Sequence, residues 1–497
     1  MIGADRLGAG QSSRRYALFV MAVVAVALLT RFQQFGNPIV HIDEQFYLLV
    51  GDRMLHGALP YVDIWDRKPI GLFLIYAAIR ELGGSGILQY QLVATGFAIA
   101  TALVVERLAA RWAGPRGSRM AALLYLLWIP LLTGQGGQSP VFYNLFVALA
   151  ALSVCRAAES RRSPSSLILT GGAAMLAIGV ALQIKYSAVF EGGLFGLTLI
   201  LVALRDKLRW TALALVALLW IALALLPTVL AVATYWRLGH LQDYWFANFV
   251  SIFRRHALDK HDGLRNAATL SLYLAPLIIL ATHGIRLRLT ATRDAVTLFL
   301  SAWLAVAVLS VIAFGYYFDH YGLPIVLPAA VGAAVALDRR RRADWPLLIL
   351  TGASLACLML PTLNQRRRGT PAQFARLVAV IRPYAAQGVY VWDNLPIIYH
   401  VLPAALPTRY VFPTHLRDPN EQGAVGVDQP RELERILDAR PAVIVIENQP
   451  GSEHEPPVVQ MAAHLARDYH PIAAIRVGRR DQIVYARNGA RPDTASR

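Results

Sequence analysis

Apolar residues run in long blocks along most of the chain, separated by short polar connectors. A helix needs roughly 20 mostly apolar residues, rising 1.5 Å each, to cross about 30 Å of hydrocarbon. Blocks of this kind lie near 16–33, 87–108, 119–133, 141–157, 167–183, 188–204, 210–235, 267–283, 295–314, 322–337 and 345–361. They predict about eleven spans, some short enough to need adjustment at their ends. The first follows Arg14-Arg15 and resembles a signal peptide. No small-residue cleavage site follows it, so it reads as an uncleaved span.

Two further segments are helical by pattern but do not read as spans. Residues 69–82, PIGLFLIYAAIREL, would make a helix of only ~21 Å, begun by Pro69 and stopped by Gly83-Gly84. Residues 44–55 place Phe46, Leu49, Val50 and Met54 on one face, with Glu44 and Asp52 off it, and predict a helix lying along the membrane surface. Beyond 361 the period changes. VYVWD (389–393), AVIVIEN (442–448), IAAIRVG (472–478) and QIVYAR (482–487) predict strands, and 371–386, 430–439 and 457–469 predict helices. The fold class expected is an all-α polytopic membrane bundle, 1–361, with a first external loop at about 34–86. A small α/β domain, 362–497, follows outside the membrane.

Charge then orients the bundle. Arginines cluster at 14–15, 111–119, 156–162, 205–209, 286–293 and 339–342, whereas the connectors 134–140 and 315–321 carry no Lys or Arg. With eleven spans every arginine-rich connector falls on one side. The positive-inside bias makes that side cytoplasmic, and the first loop and tail extracytoplasmic. Counting 69–82 as a span would reverse every later connector. The expected location is therefore the cell inner (plasma) membrane, multi-pass, with an inner N-terminus.

Composition agrees. Of 497 residues, 56% are hydrophobic and 16% charged, and the mean hydropathy is +0.45. The net charge of +17 is accounted for by topology-setting connectors, so no nucleic-acid partner is expected. The two cysteines, Cys155 and Cys357, have no metal-ligand spacing and predict neither a disulfide framework nor zinc.

The chemistry-bearing residues gather on the external side. Asp43 and Glu44 open the first-loop helix, either as N-cap and dipole-favoured acid or with Asp43 as a general base. A capping box would need Glu or Gln at 46, which is Phe46. Asp66, Arg67 and Lys68 form a polar turn before Pro69, and a lysine there could equally hold a phosphate or snorkel to headgroups. Lys185 departs from the positive-inside pattern, as a partner of Glu191 or as a functional group. Arg254 and Arg255 read as solvated, headgroup-facing or phosphate-binding. Asp319-His320-Tyr321 forms another external turn, with His320 a hydrogen-bonding residue or a ligand group.

Asp43-Glu44 after the first span, GALPYVDIWDRKPIGLFLIYA, Lys185 at a helix end and DHYGLPIVLPA occur together. In this the chain resembles the GT-C superfamily, specifically protein-mannosyltransferase-like family 39 and its bacterial relatives that include the lipid A aminoarabinose transferase. The resemblance covers about 1–361 and departs at Ile70, where many relatives carry a second proline. It implies a glycosyltransferase using a polyprenyl-phosphate sugar, with Asp43 catalytic and Lys68 on the donor phosphate. It further suggests phosphate-side or structural roles for Lys185, His320 and Tyr321. Glu44, Asp66, Arg67, Arg254 and Arg255 complete the expected substrate-binding set. The implied partners are a lipid-linked sugar, an acceptor that is a lipid, glycan or protein, and membrane lipids. No cofactor is required; oxygen ligands at Asp43, Glu44 and Asp66 are weak grounds for a divalent metal. The rival expectation, a lipid-linked-glycan transporter or flippase, would call for two related halves with interrupted midplane helices. The sequence has no such halves.

Overall fold

The computed structural model describes residues 2–159, 161, 163–338, 345–393, 395–402, 404–449 and 454–493. Arg162 and the arginines of 339–342, used above for topology, lie outside them. Among the described residues, nine helices are long and apolar enough to cross a membrane: Arg14–Gln34, Ile87–Ala109, Ser139–Glu159, Pro164–Leu182, Tyr186–Arg205, Trp210–Arg237, Lys260–Ala291, Ala295–Phe314 and Asp319–Asp338. A tenth would be the pair Leu348–Leu360 and Thr362–Gln387, bent by 40°. The protein is a multi-pass membrane protein.

The expected span at 119–133 takes a different form. It is an α-helix over Pro115–Trp128, continued by a 3-10 turn over Ile129–Leu132. Pro130 supplies no N–H to the helical ladder, and the tighter turn follows. The two pieces together reach about 29 Å. Its N-terminus is capped from elsewhere in the bundle: the Asp338 carboxylate accepts from the Gly114 and Gly117 N–H groups, each at 3.0 Å, satisfying donors that a helix start leaves open.

The chain divides into two compact units. The bundle unit comprises Met1–Gln33, Leu92–Val229 and Asp259–Leu360; the composite unit comprises Gln34–Gln91, Leu230–Leu258 and Pro361–Arg497. The division therefore does not follow one cut near 361. The first loop and the segment after Val229 belong with the tail.

In the composite unit the first loop forms two helices, α1 (Ile42–Leu55) and α2 (Ile70–Arg80). At 11 residues α2 reaches only ~16 Å and cannot span. The helices cross closely at Gly51, where an added Cβ would lie 2.7 Å from backbone atoms of Tyr76 and Ala77. Asp52 joins them, accepting from Arg80 Nε at 2.9 Å. Contrary to expectation, α1 does not lie on a surface with one face wet. Asp43 through Gly51 are buried all round, and the tail supplies part of the cover. Phe412 packs edge-on against Phe46 with centroids 5.3 Å apart, and Arg53 donates to the carbonyls of Tyr399 and Ala404.

The Asp52–Arg80 link has a testable pH signature. Burial raises the Asp52 pKa, but the hydrogen bond from Arg80 and the nearby His400 outweigh it and hold the carboxyl below its usual range. A depressed folded-state pKa gives stability that is fully present above the unfolded value of about 4. That stability is lost as pH falls through the folded value. Asp52→Asn should cost about 1.5–3 kcal/mol at neutral pH. In thermal unfolding of the detergent-solubilised protein, the gap between variant and parent should close below about pH 4.

The tail strands appear where the alternation places them: β1 (Val389–Val391), β2 (Val443–Glu447), β3 (Tyr469–Val477) and β4 (Arg480–Arg487). They form one sheet in the order β1-β2-β4-β3, with β1 and β2 parallel and the other pairs antiparallel. The parallel pair requires a crossover, which includes the helix Gln429–Asp438.

Candidate active site

Asp43 sits in the first turn of α1, two residues after the N-cap. The cap is His41, whose Nδ1 accepts from the Asp43 N–H at 3.3 Å and lies 3.5 Å from the Asp43 carboxylate. The N-cap role considered for Asp43 is thus taken by His41, whose ring lies beside the buried Asp43 carboxylate. Glu44 follows, wholly buried, with both acids at the positive end of the helix dipole. His41 and Asp43 bring two side chains of metal-ligand type side by side.

The next chain turn brings the second charged group to the same place. Tyr61, fully buried, adopts φ 72°, a left-handed conformation that costs a bulky residue about 1–3 kcal/mol. Its ring is packed against Phe73, Tyr235 and Tyr244, and its hydroxyl donates to the Lys68 carbonyl at 2.8 Å. The strained turn therefore fixes the backbone of Lys68, whose ammonium lies 5.8 Å from the centre of the Tyr47 ring. Burial raises the Tyr47 pKa, and Asp43 and Asp66 add to it. Burial likewise raises Asp66, against the pull of Lys68 and the hydrogen bond from the Arg67 N–H. Asp43, Asp66 and Lys68 thus surround one buried tyrosine.

Arg67 and Arg255 meet on a residue with no motif of its own. Arg67 Nη1 donates to Glu421 Oε1 at 3.0 Å while Nη2 pairs with Oε2, and Arg255 Nε lies 2.9 Å from Oε1. Arg254, exposed, stacks instead over the Phe246 ring, 5.4 Å from its centre. In the bundle unit, Lys185 and Tyr321 come together across 136 positions of sequence, the ammonium 4.6 Å from the ring centre. His320 packs on both Tyr321 and Phe318 within a 3-10 turn, Asp319–Gly322. Glu191 is buried in the first turn of its helix, where the dipole favours it.

Solved structures share this fold. ArnT from Cupriavidus metallidurans, bound to undecaprenyl phosphate, superimposes with a TM-score of 0.63 over 95% of this chain and 98% of that one, at 16% identity. The chain has the GT-C fold. The Archaeoglobus fulgidus oligosaccharyltransferase in its apo form shares it at a TM-score of 0.51 and 13% identity, over 87% of this chain and 69% of that one. The same archaeal enzyme in complex with an inhibitory peptide and a dolichol-phosphate gives 0.51 and 12%, with the same coverage. No family model matches the chain, and no curated protein matches it. The GT-C likeness at these identities is one of fold, so the roles of the residues rest on their own geometry.

Glu421, Ser251, His415 and Tyr61 are absent from the set expected from sequence. Tyr61 lies inside the GALPYVD stretch, and its place before Val62-Asp63 marks a turn. The other three sit in aperiodic stretches that offer no signal.

Proposed function

We propose that the protein is a membrane glycosyltransferase that moves a sugar from a polyprenyl-phosphate donor to an acceptor hydroxyl on the extracytoplasmic face, with inversion. What carries the reading is the cluster of buried Asp43 and Asp66 and half-buried Lys68 around Tyr47 in a chain of GT-C fold. The undecaprenyl phosphate on ArnT and the dolichol-phosphate on the archaeal enzyme support the donor class. In this reading Asp43 removes the proton of the acceptor hydroxyl as that oxygen attacks the anomeric carbon. The bond from that carbon to the phosphate oxygen breaks, and polyprenyl phosphate departs with the electron pair.

Positioned charge then governs the rate, because fixed cations in a site shielded from water stabilise a departing phosphate without reorganising. Lys68 is the point charge for that phosphate, with Arg255 beside Glu421 as a second. Asp66, buried beside Lys68, is a further polar contact for substrate. The donor carries its own activating phosphate, so no nucleotide or redox group is needed. Mass spectrometry of envelope glycans and glycoproteins from a deletion strain tests the reading: one sugar should vanish from one acceptor. Translocation of a lipid-linked glycan by vesicles holding the purified protein, with no transfer, would replace it by the transporter reading.

A further inference from the structure

The group holding Arg67 and Arg255 together comes from the tail. Glu421 is 1% exposed. A buried carboxylate is fully served by one arginine in the two-pronged arrangement that Arg67 makes. A second guanidinium on the same oxygen brings two like charges together, at a cost unless another anion offsets it. Arg67 is held at a third point, its Nε donating to Ser251 Oγ at 2.9 Å, and Ser251 Oγ in turn donates to the Ala424 carbonyl at 2.6 Å. The His256 N–H donates to the Asn420 carbonyl at 3.0 Å, so the segment around Glu421 also fixes the backbone beside Arg255. A π-helical turn, Phe246–Val250, immediately precedes Ser251 and sets its direction.

Two observations point to an anion rather than a closed ion-pair network. Trp65 carries Arg67 over its ring, 5.1 Å from the centre, and His415 edge-on at 4.8 Å. His415 is 1% exposed, and its Nδ1 has no hydrogen-bond partner among the described residues. Burial, then Arg67, Lys68 and Arg255, hold its pKa well below the usual histidine range. Three cationic side chains therefore act on this one wall.

We propose that Glu421 is the positioning residue of the donor-phosphate site, holding Arg67 and Arg255 side by side so that, with Lys68, they receive the phosphate of the lipid. The tail is in this sense part of the donor site and not only a cover. The inference rests on the donor-phosphate reading above.

The test uses the full chain in lipid nanodiscs and undecaprenyl phosphate as probe. Glu421→Gln should weaken binding by about tenfold or more and raise the donor KM more than it lowers kcat, while Glu421→Asp retains most of the affinity. Residues acting as one unit give non-additive losses, so Glu421→Gln combined with Arg255→Ala should bind no worse than the weaker single variant. Undiminished or tighter binding by Glu421→Gln, or losses that multiply, would overturn the proposal. Should Glu421→Gln not fold, Ser251→Ala removes the third anchor of Arg67 and keeps the buried charges. A severalfold loss of affinity supports the proposal, and none counts against it. Lys68→Ala separates the two levels: if it weakens binding and Glu421→Gln does not, only this inference fails. If neither does, the donor-phosphate reading fails with it.

Discussion

Asp43→Asn should reduce sugar transfer by about 10²–10⁴, the range general-base catalysis supplies, while expression and membrane insertion stay normal. The reasoning is local. Asn keeps the size of the side chain and its place in the first turn of α1, and the His41 cap contacts the Asp43 backbone, which the substitution leaves alone. The substitution removes the carboxylate's negative charge and with it the capacity to accept a proton. The measurement is release of polyprenyl phosphate from a lipid-linked sugar by the purified variant, beside circular dichroism and thermal unfolding as controls for fold. Asp66 is the instructive comparison, being equally buried and on the same tyrosine. If Asp43→Asn keeps full activity and Asp66→Asn loses it, the base is Asp66 and the assignment above is wrong.

The second large effect belongs to Lys68. Replacing it by Ala removes a charge-assisted contact worth about 1.5–3 kcal/mol, so the apparent donor affinity should fall roughly 10- to 100-fold. The Tyr61 hydroxyl bonds the Lys68 carbonyl and not its side chain, so the turn should survive the substitution. An unchanged donor KM would show that the ammonium serves only to pack on Tyr47. Lys68→Arg should not rescue fully, since a planar fork and a compact ammonium make different demands on a phosphate.

Much of this architecture is legible in the sequence because its signals are local. A 20-residue apolar block is a helix in lipid whatever its neighbours do, and the alternation of VYVWD or QIVYAR is enough to place a strand. The same logic explains the failures. The buried state of α1 depends on Phe412 and the carbonyls of Tyr399 and Ala404, contributed by a segment about 350 positions away and invisible to a helical period. His41 displaces Asp43 from the cap because an imidazole nitrogen accepts the N–H that an aspartate oxygen would usually take, and capping patterns seldom consider histidine. The span at 119–133 changes from α-helix to a 3-10 turn at one proline. Of the charged residues, Asp43, Asp66 and Lys68 stand out because they crowd one short loop, and Lys185 because it breaks the arginine pattern. Glu421 and His415 sit in a stretch without period, and Ser251 follows a π-turn; nothing short of the folded chain picks them out.

The composite unit is also a statement about time. Arg67 and Glu421 are 354 positions apart, and at synthesis rates of about 5–20 residues per second the ribosome needs some 20–70 s to travel from one to the other. Throughout that interval the first loop is already made while the chain that buries α1 and clamps Arg67 is not. Asp43 and Lys68 therefore reach their working geometry only after the last spans have been threaded. Assembly itself acts as the safety catch, because an immature chain carries the reactive side chains without the counterpart that aligns them.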